Sequence, residues 1–157
     1  MPVRFLKNAS EIADVSWESP LPVMETLRER KMVQVDTLLL QTTTVDTTAK
    51  DLLGNTATDI ATIGSAGQYR MLLWTGVKTG ATDISYTVFA RTTDVDGNPF
   101  GTGWLQVATG TISGAANSWF RVAVSQAEGL YYDQYRIVVS QTSGSQTLHS
   151  KIVGVRG

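Results

Sequence analysis

From Val35 onward the chain is a ladder of short runs in which apolar and polar residues alternate, each run stopped by Gly, Ser, Thr, Asn or Asp. That texture permits little besides an all-β fold. The runs fall at about 35–43, 56–63, 68–78, 83–93, 104–112, 117–125, 133–142 and 147–155. About eight strands is the number of a jelly roll. In Ile84-Ser85-Tyr86-Thr87-Val88-Phe89-Ala90-Arg91 one parity carries Ile, Tyr, Val and Ala, and the other Ser, Thr, Phe and Arg. One face is therefore expected to be buried and the other partly wet, the habit of antiparallel sheets.

An internal echo supports two sheets. Gln68-Tyr69-Arg70-Met71-Leu72-Leu73 recurs as Gln134-Tyr135-Arg136-Ile137-Val138-Val139. Alternation puts each Tyr on the face of residues 71 and 73, or 137 and 139, and the two runs read as equivalent central strands. Asp96-Gly97, Ser113-Gly114-Ala115-Ala116-Asn117 and Thr142-Ser143-Gly144-Ser145 read as turns between strands.

Residues 1–34 differ in kind, with 10 charged side chains against 17 in residues 35–157. Pro20 and Pro22 precede Met24, Leu27 and Lys31 at i, i+3 and i+7, which predicts one short helix over about 22–32. A helix that short needs something to dock on. The chain thus divides into an N-terminal arm, 1–34, and a β-sandwich domain, 35–157. At 157 residues, one hydrophobic core is expected.

Composition narrows the chemistry. The net charge of −1 offers no electrostatic footprint for nucleic acid or anionic lipid. Without cysteine there is no disulfide framework, thiolate zinc site or thiol nucleophile. No signal-peptide pattern follows Met1 and no apolar run approaches a membrane span, so synthesis in a cytoplasm is expected.

His149 is the only imidazole, and alternation turns it away from Leu148, Ser150 and Ile152, toward a surface. Asp94, Asp96 and Asn98 resemble the front of a calcium loop. However, Gly97 falls one place early, Pro99 takes the place of the turn glycine, and Leu105 stands where a bidentate Glu is required. An Asx/Gly turn is the better reading. Asp83, Asp94, Asp96, Glu128 and Asp133 show no spacing that selects an acid/base pair, and no phosphate-binding glycine loop occurs. No cofactor and no catalysis are expected. Trp104 and Trp119 open two successive strands in similar pentads, Gly103-Trp104-Leu105-Gln106-Val107 and Ser118-Trp119-Phe120-Arg121-Val122. They are expected to cap the sandwich core. The alternative is a shelf on which Trp104, Trp119, Tyr131 and Tyr132 stack against sugar rings.

The arm with one helix, the Thr/Gly/Ser-rich strands such as Asp83–Arg91, Trp104–Ile112 and Gln134–Thr142, and the absence of cysteine together resemble the small β-sandwich proteins of tailed-phage particles. The likeness is to head decoration or cement proteins and related fibre or knob subunits. It implies a homotrimer on the virion that clamps neighbouring subunits of the major capsid protein, with no enzymatic, nucleic-acid or membrane role. Phe5, Leu6, Ile12, Val15 and Trp17 would then be the apolar assembly contacts. The competing expectation is a carbohydrate- or receptor-binding module.

Overall fold

The computed structural model describes residues 33–124 and 132–156. The proposed arm lies outside them except for Val33 and Gln34, and so does its helix. The described residues form two four-stranded antiparallel sheets: β1 (Gln34–Val45), β2 (Lys50–Asp51), β3 (Met71–Lys78), β4 (Ile84–Arg91), β5 (Leu105–Ile112), β6 (Ser118–Ala123), β7 (Gln134–Gln141) and β8 (Gln146–Arg156). One sheet runs β1-β8-β3-β6 and the other β2-β7-β4-β5.

The order is that of one long hairpin rolled on itself. β4 pairs with β5, and moving outward from that turn β3 pairs with β6, β2 with β7 and β1 with β8. Rolling the ribbon then sets β8 against β3 and β7 against β4. This is the jelly roll that the strand count suggested.

Alternation fills the space between the sheets. Leu72 and Trp74 of β3, Leu148 and Ile152 of β8, Ile84, Val88 and Ala90 of β4, and Tyr135, Ile137 and Val139 of β7 are all buried. Trp74 lies at their centre. Its ring meets Tyr86 of the facing sheet edge-on at 5.6 Å and Phe120 at 5.0 Å, and its Nε1 donates to Ser150 Oγ at 3.0 Å. Room for the neighbouring rings comes from strand glycines. A Cβ on Gly110 would strike the Tyr86 phenol, and one on Gly154 would strike the Tyr69 ring.

Each end of the sandwich is tied by polar contacts. At one, buried Lys78 donates to the carbonyls of Gly80 (3.0 Å), Thr82 (3.3 Å) and Gly114 (2.7 Å). All three ammonium donors are used, and they join the β3–β4 turn to the β5–β6 turn. At the other, Asp36 accepts from Tyr69 Oη (2.9 Å) and from Arg156 Nε and Nη2 (3.0 and 2.8 Å). That fastens the start of β1 to the end of β8. The Tyr69 hydroxyl first, and the Arg156 guanidinium next, hold the Asp36 carboxyl below the usual carboxylate range.

Two sequence expectations are corrected. Residues 56–63 do not form a strand. The second strand is Lys50–Asp51, and it stops because the Asp51 carboxylate turns back to accept from the Leu53 and Asn55 amides (3.0 and 2.7 Å), with Gly54 in the left-handed region. The backbone returns to the edge of β7 at Thr62 and Ile63, whose amides both donate to the Tyr135 carbonyl (2.8 and 3.0 Å). The echo also holds for one copy only. Tyr135, Ile137 and Val139 share the inner face of β7, whereas Tyr69 precedes β3 and is buried while Met71 points outward. The hydrogen bond to Asp36 and the seat on Gly154 place Tyr69, not strand alternation.

Replacing Trp74 by Ala is expected to lower unfolding free energy by about 3–5 kcal/mol in denaturant titrations. An effect below about 1 kcal/mol would deny the ring its central position. A carboxylate whose folded pKa is depressed contributes stability above its unfolded value of about 4, and that contribution is lost as pH falls through the folded value. Thermal melts taken from neutral pH down to about pH 3 should therefore show a steeper acid loss for the native chain than for Asp36→Asn. Parallel curves would count against the clamp.

Candidate functional site

The outer faces of the two sheets differ. Against the β2-β7-β4-β5 sheet, residues 57–59 are held by outward side chains. Arg136 donates to the Ala57 carbonyl (2.8 Å), Trp104 Nε1 donates to the Thr58 carbonyl (2.7 Å), and Arg91 pairs with Asp59. Arg91 Nε also donates to Gln134 (2.7 Å), and its guanidinium lies 4.0 Å from the centre of the Trp104 ring. The two arginines and the indole are engaged in holding the loop.

Among the described residues, no loop covers the outer face of the β1-β8-β3-β6 sheet. Strand register sets its side chains in two adjacent rows: Thr42, His149, Val77 and Trp119, then Leu40, Lys151, Thr75 and Arg121. Leu40, 76% exposed, and Trp119, 80% exposed, stand on opposite edge strands. A trough of about 540 Å³ lies between them, lined also by Thr75, Val77, His149 and Lys151. Three strand spacings make it about 14 Å wide. Asn117, in the left-handed conformation that Asn tolerates, closes the turn into β6 and also lines the trough. His149 Nδ1 and Thr42 Oγ1 are hydrogen-bonded at 3.1 Å.

The sequence candidates disperse. Phe5, Leu6, Ile12, Val15, Trp17, Glu128 and Tyr131 lie outside the described residues. Trp104 immediately precedes β5 and Trp119 lies in β6, strands of different sheets, so they do not make one shelf, and Tyr132 packs edge-on to Tyr135 at 6.2 Å. Trp119 does not cap the core. In β6 the inward parity belongs to Phe120 and Val122, which pack against the buried cluster, and this turns the indole outward. Asp94 accepts from the backbone amides of Asp96 and Asn98 (both 2.9 Å) and from Asn98 Nδ2 (3.4 Å). That is an Asx turn, and the Asn98 amide is the main cause that lowers the Asp94 pKa. Asp83 and Asp133 accept from Ser113 Oγ (3.2 Å) and the Thr93 amide (2.9 Å). Among the described residues, no three His, Asp or Glu side chains form a cluster that could hold a metal. Sequence reasoning missed Leu40, Lys151 and Arg121. Parity could have put Lys151 with His149, but only the register puts them opposite Thr75 and Trp119.

Trp119→Ala is expected to leave stability within about 0.5 kcal/mol of the native chain. Trp104→Ala, which removes a hydrogen bond and a cation–π contact, should cost about 1–2 kcal/mol. Equal losses in chemical denaturation would refute this division of roles.

No family model matches the chain, and no curated protein matches it. Among solved structures it is similar to a protein of the Bacillus endospore appendages, which form a family of disulfide-linked pili. The identity is 15% and the TM-score 0.36, over 82% of this chain and 92% of that one. It is also similar to PirA, at 12% identity and a TM-score of 0.34, over 82% of this chain and 96% of that one. At these scores neither likeness carries an argument about what this chain does.

Proposed function

We propose that the chain is a non-enzymatic assembly protein that decorates a virus particle as a homotrimer and clamps neighbouring subunits of the major capsid protein. The observation that carries the building role lies at edge strand β5. Val95, Phe100, Leu105 and Val107, in β5 and the connection before it, are all exposed. Large exposed apolar side chains at a sheet edge that is unpaired among the described residues suit burial against another subunit. A bulge between Val88 and Phe89, opposite Val107, interrupts the ladder there. Contact through side chains is therefore favoured over simple strand addition.

The virion setting follows from the resemblance of the whole chain to tailed-phage decoration proteins. In this reading Phe5, Leu6, Ile12, Val15 and Trp17 grip the capsid, and each buried Phe or Leu contributes about 1.5–3 kcal/mol before ordering costs. Symmetry multiplies such modest contacts into a firm lattice.

Light scattering on a sizing column tests the proposal. The full chain should run as a trimer that weakens when the chain starts at Val35, and Phe100→Ser with Leu105→Ser should also lower the oligomer. A monomer in every form would overturn self-assembly. Unchanged capsid binding by Phe5→Ala and Trp17→Ala would remove the arm from the clamp.

A further inference from the structure

The outer face of the β1-β8-β3-β6 sheet has a charge that the whole chain lacks. Its outward positions include Lys151 and Arg121, and on none of the four strands is an outward position Asp or Glu. The ion pairs of the described residues join Lys50 to Asp46, Arg91 to Asp59 and Arg156 to Asp36. Lys151 and Arg121 enter none of these. They flank Thr75 in one cross-strand row, two strand spacings or about 10 Å apart. A carboxylate above Thr75 would lie within reach of both. Trp119 stands two residues from Arg121, about 7 Å along the strand.

From this arrangement we infer that the trough binds an acidic saccharide, a chain of pyranose rings in which at least one ring carries a carboxylate. The Trp119 indole presents a flat apolar face to the C–H side of a ring. Thr75, Asn117 and the Nε2 of His149 offer hydrogen-bonding groups to hydroxyls, and Lys151 and Arg121 take the carboxylate. The charge-assisted contacts confer the preference for acid over neutral sugar. An acidic peptide fits less well. The floor lies on β8 and β3, whose backbones are paired on both sides, so it has no free ladder groups for an added strand. This site is independent of the assembly role and needs neither the arm nor an oligomer.

Tryptophan fluorescence and calorimetry on the full chain test the inference, with tetragalacturonate and sialyllactose as probes, maltotetraose and lactose as neutral controls, and hexaglutamate as a charge control. At least one acidic sugar should bind saturably with a blue shift, and the neutral sugars about tenfold or more weaker. Trp119→Ala should remove the shift and weaken binding about tenfold or more. Lys151→Gln and Arg121→Gln should bring the acidic sugar down to the neutral level. These positions are exposed, so the variants should fold as the native chain does. Failure of both acidic sugars to bind at millimolar concentration overturns the inference. So does equal affinity for the neutral sugars, or indifference to Trp119→Ala. Hexaglutamate binding as tightly as the sugars would show a surface that reads charge alone, and would also overturn it.

Discussion

Trp74 is the contact on which the sandwich is organised. Its edge-on packing on Tyr86 joins the two sheets, its packing on Phe120 fixes β6, and its N–H reaches Ser150 on β8. A buried indole N–H needs a partner. That need selects the register in which Trp74 lies opposite Ile152 with Ser150 on the same inner face. A slip of one residue would turn every side chain of β8 to the other surface. The same choice therefore sets the outside: once Ser150 and Ile152 face in, His149 and Lys151 must face out.

The outer surface thus follows from the core, and the two sheets use it differently. On one, Arg91, Trp104 and Arg136 are taken up in holding the long connection between β2 and β3. Thr62 and Ile63 of that connection pair with Tyr135 at the edge of β7, beyond the point where Asp51 ends the second strand. On the other, no acidic side chain among the described residues meets Lys151 or Arg121, and the two edge strands raise Leu40 and Trp119 as walls. A sandwich with one loop-covered face, one face that the described residues leave uncovered and an apolar strand edge offers a subunit partner and a soluble ligand separate places.

Much of the fold was legible in the sequence, and the reasons are local. Period-two alternation in Ile84–Arg91 and Gln134–Gln141 identified the inner faces, because in both strands one parity is filled by the apolar residues that pack between the sheets. The run at 56–63 misled because Thr, Ala and Ile alternate there as they would in a strand. Its backbone is instead held by side chains of distant strands, and no local pattern reports such partners. Tyr69 misled for a similar reason, since its place is set by Asp36 and Gly154, which are far away in sequence.

By itself, then, the sequence determined the all-β class, the rough positions of seven of the strands and the direction in which His149 faces, since each rests on steric rules between near neighbours in the chain. The tertiary structure alone decided which strands pair, that Trp104 holds a loop while Trp119 is exposed, and that Lys151, Thr75 and Arg121 share one row. Those outcomes depend on hydrogen-bond register between residues tens of positions apart. Register is chosen by how the whole core packs, not by any segment that contributes to it.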